Sequence, residues 1–125
     1  DDDAYYCFLT DDTLYETGFF DKLRAIDYDV IVCSMKRGHH TPGVSDNGLM
    51  HGTSTLLASY ENMSPGGIGP EQMIIKGRIL RHVRFPNTFA FDGDMGLILR
   101  DKFLIHFEPE WYVLYNYLQP GRWDK

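Results

Sequence analysis

Apolar residues along this chain gather in short continuous runs, separated by polar stretches rich in Gly and Pro. Residues 4–9 (AYYCFL) and 29–34 (DVIVCS) lack the polar alternation of a half-exposed strand, so both read as strands buried on two faces. Between them Phe19, Phe20, Leu23 and Ile26 recur at helical spacing, which predicts a helix starting at Glu16 or Thr17. Residues 35–52 show no period and are dense in Gly, Pro, Asn, Asp and His, the composition of a long loop. Residues 53–59 (TSTLLAS) suit a third strand. A turn cluster, Ser64-Pro65-Gly66-Gly67-Ile68-Gly69, comes next. Pro70 then opens a predicted helix, PEQMIIKGRILRHV, with Met73, Ile74, Ile75, Ile79 and Leu80 as its apolar face. Residues 84–90 read as extended or irregular. Asp92-Gly93-Asp94 precede a predicted helix over 95–102, with at least one of the two acids as its N-cap. Residues 103–107 and 111–118 read as two strands around a Glu108-Pro109-Glu110 turn, and residues 119–125 as a tail.

Strands alternating with helices predict an α/β layer architecture. The first run has the pattern of a central strand, which needs neighbours on both sides. The 125 residues therefore read as a single domain or as the second part of a larger α/β domain. A part of that kind would expose an apolar strand edge, so the expectation is a homo-oligomer or a pairing with a missing N-terminal half.

Composition removes several classes of function. With 12 Lys+Arg against 18 Asp+Glu the net charge is −6, and no basic cluster offers a grip on nucleic-acid phosphates. Hydrophobic residues at 43% and charged residues at 24% exclude a disordered chain. No apolar run is long enough to span a bilayer, and no signal-peptide pattern is present. Cys7 and Cys33 each sit inside an apolar run, which leaves neither a disulfide framework nor a zinc motif and suits a reducing, cytoplasmic setting.

The strongest chemical signal is Thr10-Asp11-Asp12-Thr13. A buried strand delivers two adjacent carboxylates to its C-terminal edge, where open α/β sheets bind ligands. Carboxylate oxygens suit a hard divalent ion bridging a diphosphate, and equally a solvated turn capping the next helix.

The run FLTDDTLYETGFFDKLR resembles the strand, acidic motif, glycine and helix of the family 2 inverting glycosyltransferases, whose usual pattern is F-L-D-x-D-D-x-x-x-P-G-F-x-x-x-L. RFPNTFAFDGDMGLILRDKFLIHFEPEWYVLY is similar to that family's later segment, in which a Glu-Asp-x-Asp motif opens a helix. The resemblance covers most of the chain in the right order. It implies part of the GT-A mixed sheet flanked by helices, lacking the N-terminal nucleotide-binding half. It implies Mn²⁺ or Mg²⁺ held by Asp12 with Asp11, while Thr10 stands where the family has its first Asp. Asp92 falls on the family's catalytic base, with Phe91 in place of the usual Glu and Asp94 on the later Asp, which makes Asp94 the second candidate for the base. Gln119-Pro120-Gly121-Arg122-Trp123 fits the letters of the QxxRW motif, and Arg122 would bring charge to the leaving diphosphate.

The activity so implied is metal-dependent, inverting transfer of a sugar from a nucleotide diphosphate sugar to a saccharide or other hydroxyl acceptor. The alternative is a non-catalytic carbohydrate-binding or protein-interaction module of the same descent. A phosphohydrolase using the same acids lacks an evident nucleophile. Tyr15, Trp111 and Trp123 are candidates for stacking on sugar rings or for core packing. His39, His40 and His51 flank Asp46 at spacings that match no zinc signature, and could equally line an acceptor pocket. His106 falls on a predicted strand, where an ordinary hydrogen bond is expected. Gly66–Pro70 lacks the Lys-Ser/Thr of a P-loop and reads as a turn that admits the acceptor or closes the fold.

Overall fold

The computed structural model describes residues 1–8, 13–15, 18–39 and 52–115. Its centre is β3 (Val30–His39), flanked by strands on both edges. On one edge β3 runs parallel to β6 (Ile105–Tyr115). On the other it pairs antiparallel first with β5 (Met73–Lys76), through Val30–Val32, and then with β4 (Gly52–Leu56), through Met35–His39. Among the described residues two short strands bring this mixed sheet to six: β1 (Tyr5–Tyr6) lies along β5, and β2 (Thr13–Tyr15) along the end of β6.

Period-two alternation divides the apolar residues between two cores. Val30, Val32, Met73 and Ile75 face one side, where they meet Met63, Ile68, Ile79 of α2 (Gly77–Leu80), and Met95 and Leu99 of α3 (Phe91–Lys102). Ile31, Cys33, Ile74 and Val113 face the other, against Phe19 and Leu23 of α1 (Phe19–Leu23). Both faces of the sheet are thus helix-covered, and the fold is α/β.

Several predicted elements differ from those observed. The run at residues 4–9 is not a central strand. Among the described residues it contributes two strand residues beside β5 alone, with Tyr6 exposed. The segment just before it is drawn off over α2, where Asp2 pairs with Arg81 and Asp3 with Arg78, and the Ala4 carbonyl accepts from the Gly77 amide. Of the loop expected over residues 35–52, residues 35–39 belong to β3 and Gly52 opens β4, while the rest lies outside the described residues.

The predicted helix from Pro70 is a single 3₁₀ turn (Pro70–Gln72), then β5, then the short α2. Over so short an apolar run helical and strand spacing coincide. Pairing with Val30–Val32 decides it, since it buries every residue from Met73 to Lys76. Likewise 105–115 is one strand, not two around a turn. Cys33 faces Glu108 and Ser34 faces Tyr112, so Pro109, Glu110 and Trp111 form a bulge that accommodates a proline without an N–H.

Candidate functional site

At the centre of β3 the sheet opens on both edges, between Cys33 and Ser34. There β3 passes from β5 to β4 on one side and meets the β6 bulge on the other. Backbone groups at such a split need partners. Gln72, fully buried, supplies them: its Nε2 donates to the carbonyls of Cys33 (2.9 Å) and Leu56 (3.1 Å), and its Oε1 accepts from the Gly69 amide (2.8 Å). The Ser34 hydroxyl donates to the Pro109 carbonyl (2.8 Å) and accepts from the Ala58 amide (2.9 Å).

These bonds hold the turn at Gly66–Pro70 over the split and leave a cleft of about 210 Å³. Its walls are Met35 of β3, Leu56 of β4, Gly66, residues 68–71 and Asp92 of α3. Gly66 takes a left-handed conformation (φ 86°), which its lack of a side chain permits.

Asp92 reaches the cleft because α3 approaches the turn very closely. Gly93 lies against the Ser64–Pro65 backbone and Gly96 against Met63 and Ile68, so the helix presents a face without side chains. Neither Asp92 nor Asp94 is the N-cap. That position is Ala90, whose carbonyl accepts from the Asp94 amide (2.9 Å), and both acids lie in the first turn of α3. The two have different surroundings. Asp92 Oδ1 accepts from the Gly93 amide (2.7 Å) and its side chain lines the cleft. Asp94 Oδ2 accepts from the Thr88 hydroxyl (2.6 Å) and so fastens residues 88–90 to the helix.

A second carboxylate lines the same cleft. Glu71 is buried at 6% exposure and belongs to the 3₁₀ turn. It went unnoticed in the sequence because it stood on a predicted helix. The available signal was a Glu-Gln pair placed between a glycine turn and a continuously apolar run.

Asp11, Asp12 and Arg122 lie outside the described residues, as do His40, His51, Asp46 and Trp123. The residues that bracket the Asp pair are described, and both are anchored near the cleft. Phe8 packs edge-on against Phe85 (4.8 Å between ring centres), which packs against Phe91, the neighbour of Asp92. The Tyr15 hydroxyl, 3.1 Å from the Glu71 carbonyl and 3.4 Å from that of Phe8, ties the two flanks together. Burial, with nearby Cys7 and Cys33, pushes the Tyr15 phenol well above its ordinary range, so it remains a donor.

Tyr15 and Trp111 both pack on Phe19, at 4.6 and 5.7 Å, and belong to the core. His106 pairs with Glu108 across 2.6 Å on the same face of β6. Among the described residues no group of three or more His, Cys, Asp or Glu side chains is placed to hold a metal ion, and no helix is long and apolar enough to cross a membrane. Compared with known proteins, the chain matches no family model and no curated protein.

Proposed function

We propose that this chain carries the acceptor side of a glycosyltransferase of the GT-A type, which moves a sugar from a nucleotide diphosphate sugar to a hydroxyl acceptor. The supporting observation is the convergence on one cleft. Asp92 lines it, and the residues flanking the Asp11-Asp12 pair are bonded to its surroundings through Tyr15–Glu71 and Phe8–Phe85–Phe91. Asp12 is three residues from Tyr15, so an extended chain keeps their Cα atoms within about 11 Å. The pattern resemblance, not the cleft alone, supplies the reaction type.

In this reading Asp92 takes the proton of the acceptor hydroxyl as its oxygen attacks the anomeric carbon from the face opposite the diphosphate. The bond from that carbon to the diphosphate oxygen breaks, its electron pair leaves with the diphosphate, and the configuration inverts. Asp11 and Asp12 would hold Mn²⁺ or Mg²⁺, which when bound neutralises charge on the leaving group. Arg122 would add a fixed positive charge there. Asp94, committed to Thr88, positions the loop before the helix.

The test is nucleoside diphosphate release by the full polypeptide supplied with Mn²⁺, UDP-, GDP- and dTDP-sugars and a mixture of saccharide acceptors. Asp92→Asn should lower turnover by about 10²–10⁴-fold, the usual contribution of a positioned base, with donor binding by calorimetry unchanged. An Asp92→Asn enzyme as fast as the parent would remove Asp92 from the mechanism. If the parent transfers from none of these donors, a binding module becomes the better reading.

A further inference from the structure

The outer edge of β6 is open at its start. Among the described residues β2 meets β6 only at Val113–Tyr115, so Ile105–Glu108 has a strand neighbour, β3, on one side alone. Such an edge is a template for another strand, and proteins usually blunt it with lysine, proline or a covering element. This stretch has no lysine, and Pro109 stands only at its end, in the bulge. Leu104, just before the strand, is 85% exposed.

Alternation sorts the edge into two rows. Ile105 and Phe107 are half-buried against the core that Met95 and Leu99 cover. His106 and Glu108 lie on the opposite face, in register with Ile31 and Cys33, and the Tyr28 ring is 4.9 Å from the imidazole. Both keep part of their side chains in solvent. A two-fold axis normal to the sheet sets two copies of this edge antiparallel. With His106 or Glu108 on the axis, two like side chains meet there. With Phe107 on the axis, His106 lies opposite Glu108 of the partner subunit, and Glu108 opposite the partner's His106. On the other face Phe107 meets the partner's Phe107, and Ile105 meets the partner's Pro109. Cross-strand pairs of opposite charge and of apolar side chains are the ones that stabilise a sheet. Pro109, which has no N–H, ends the pairing.

We infer that the start of β6 is a homodimer interface, in which Ile105–Pro109 pairs antiparallel with the same segment of a second copy and joins two sheets into one. The occupant is a second copy because His-Phe-Glu read backwards presents the opposite charges, so the chain carries its own complement. Each imidazole then faces two carboxylates, its own at 2.6 Å and the partner's. None of these residues lines the cleft beside Asp92, so the inference does not depend on the transferase reading.

An interface of this size is a weak one, and the full polypeptide should dimerise reversibly over the micromolar to millimolar range in sedimentation equilibrium. His106→Glu sets negative charges opposite each other across the axis, and Glu108→Lys sets positive ones. Each variant alone should raise the dissociation constant about tenfold or more. Mixed in equal amounts, the two present opposite charges at both pairs, and the dimer should return as a heterodimer. Amide hydrogen exchange tests the edge without any variant: protection of residues 105–108 in the parent should rise with protein concentration.

A monomer across the whole range, a dimer that neither variant weakens, or folded variants that form no heterodimer would overturn the interface. Slow exchange at residues 105–108 that is independent of concentration would assign the edge to another segment of the same chain, and would overturn it as well.

Discussion

Gly93→Ala tests how Asp92 is brought to its cleft. Replacing a helical glycine with alanine ordinarily stabilises a helix by about 1 kcal/mol. Here the added Cβ would stand 2.7 Å from the Ser64 carbonyl carbon and closer still to Pro65 Cα and N. Carbon atoms prefer about 3.5–4.0 Å, so to clear Pro65 Cα the helix α3 or the turn must retreat by more than about 1 Å. The obstructing atoms are backbone, which cannot swing aside, and overpacking of that kind costs up to about 3 kcal/mol. Subtracting the propensity gain leaves a net loss of about 2 kcal/mol, or roughly 6–10 °C in melting temperature for a domain of this size.

Gly96→Ala is the internal control. Its nearest neighbours would be 3.2 Å away at the Ile68 side chain and 3.3 Å away at the Met63 carbonyl carbon, so a small adjustment suffices and stability should change little. Thermal unfolding of both variants, followed by circular dichroism, separates the two. A Gly93→Ala protein more stable than the parent would mean that helix propensity dominates and that close approach does not place Asp92. If Asp92 is the base, Gly93→Ala should also lose transfer activity by as much as about 10²-fold, the scale of an ångström misplacement.

Two further predictions concern the surrounding framework. Gln72→Leu keeps volume but leaves the Cys33 and Leu56 carbonyls and the Gly69 amide without their partner, at about 1–3 kcal/mol for each unsatisfied group, so urea unfolding should show a loss of at least about 3 kcal/mol; a loss under about 1 kcal/mol would mean that the split in the sheet needs no clamp. Lys76 and Asp27 pair at 2.9 Å, and Lys76, through hydrogen bond and charge, holds the Asp27 carboxyl below its usual range, while the bond to Asp27 raises Lys76. A lowered carboxyl contributes stability that is present above the unfolded value of about 3.9 and is lost as pH falls through the folded value, whereas the raised lysine contributes up to its own unfolded value and loses that contribution only in strong alkali. The stability difference between parent and Asp27→Asn should therefore be constant between pH 5 and 9 and shrink toward pH 3; a difference that grows on acidification would reverse the assignment.

How much of this was legible in the sequence depends on what each residue's neighbours decide. The run at residues 29–34 was read as a strand because β-branched residues buried on both faces leave little choice, and it is the start of β3. Phe19 and Leu23 marked α1 through their spacing, but the helix spans only Phe19–Leu23, with Gly18 as its N-cap and Ile26 beyond its end. Met73-Ile74-Ile75 was misread because its partner, Val30–Val32, lies 43 residues away in sequence, and only that pairing distinguishes a buried strand from a buried helix. The break expected at Glu108-Pro109-Glu110 is a real irregularity, but a parallel neighbour carries the strand through it as a bulge.

The site divides along the same line. Asp92 and Asp94 look equivalent in Asp-Gly-Asp, and local rules assign either one to the N-cap. What separates them is tertiary: Gly93, between them, lets α3 descend on the Ser64–Pro65 backbone, so Asp92 enters the cleft while Asp94 turns to Thr88. Glu71 and Gln72 show the converse. Each is a polar residue immediately before an apolar run, a place that ordinary helix patterning treats as solvated. Their burial at 6% and 0% has different consequences. Gln72 completes the backbone bonds of a split sheet, while Glu71 lines the open space which that split creates. Polar residues that break a pattern and are nonetheless buried mark where folding and ligand recognition meet. In this chain the place is where β3 changes partners, between Cys33 and Ser34.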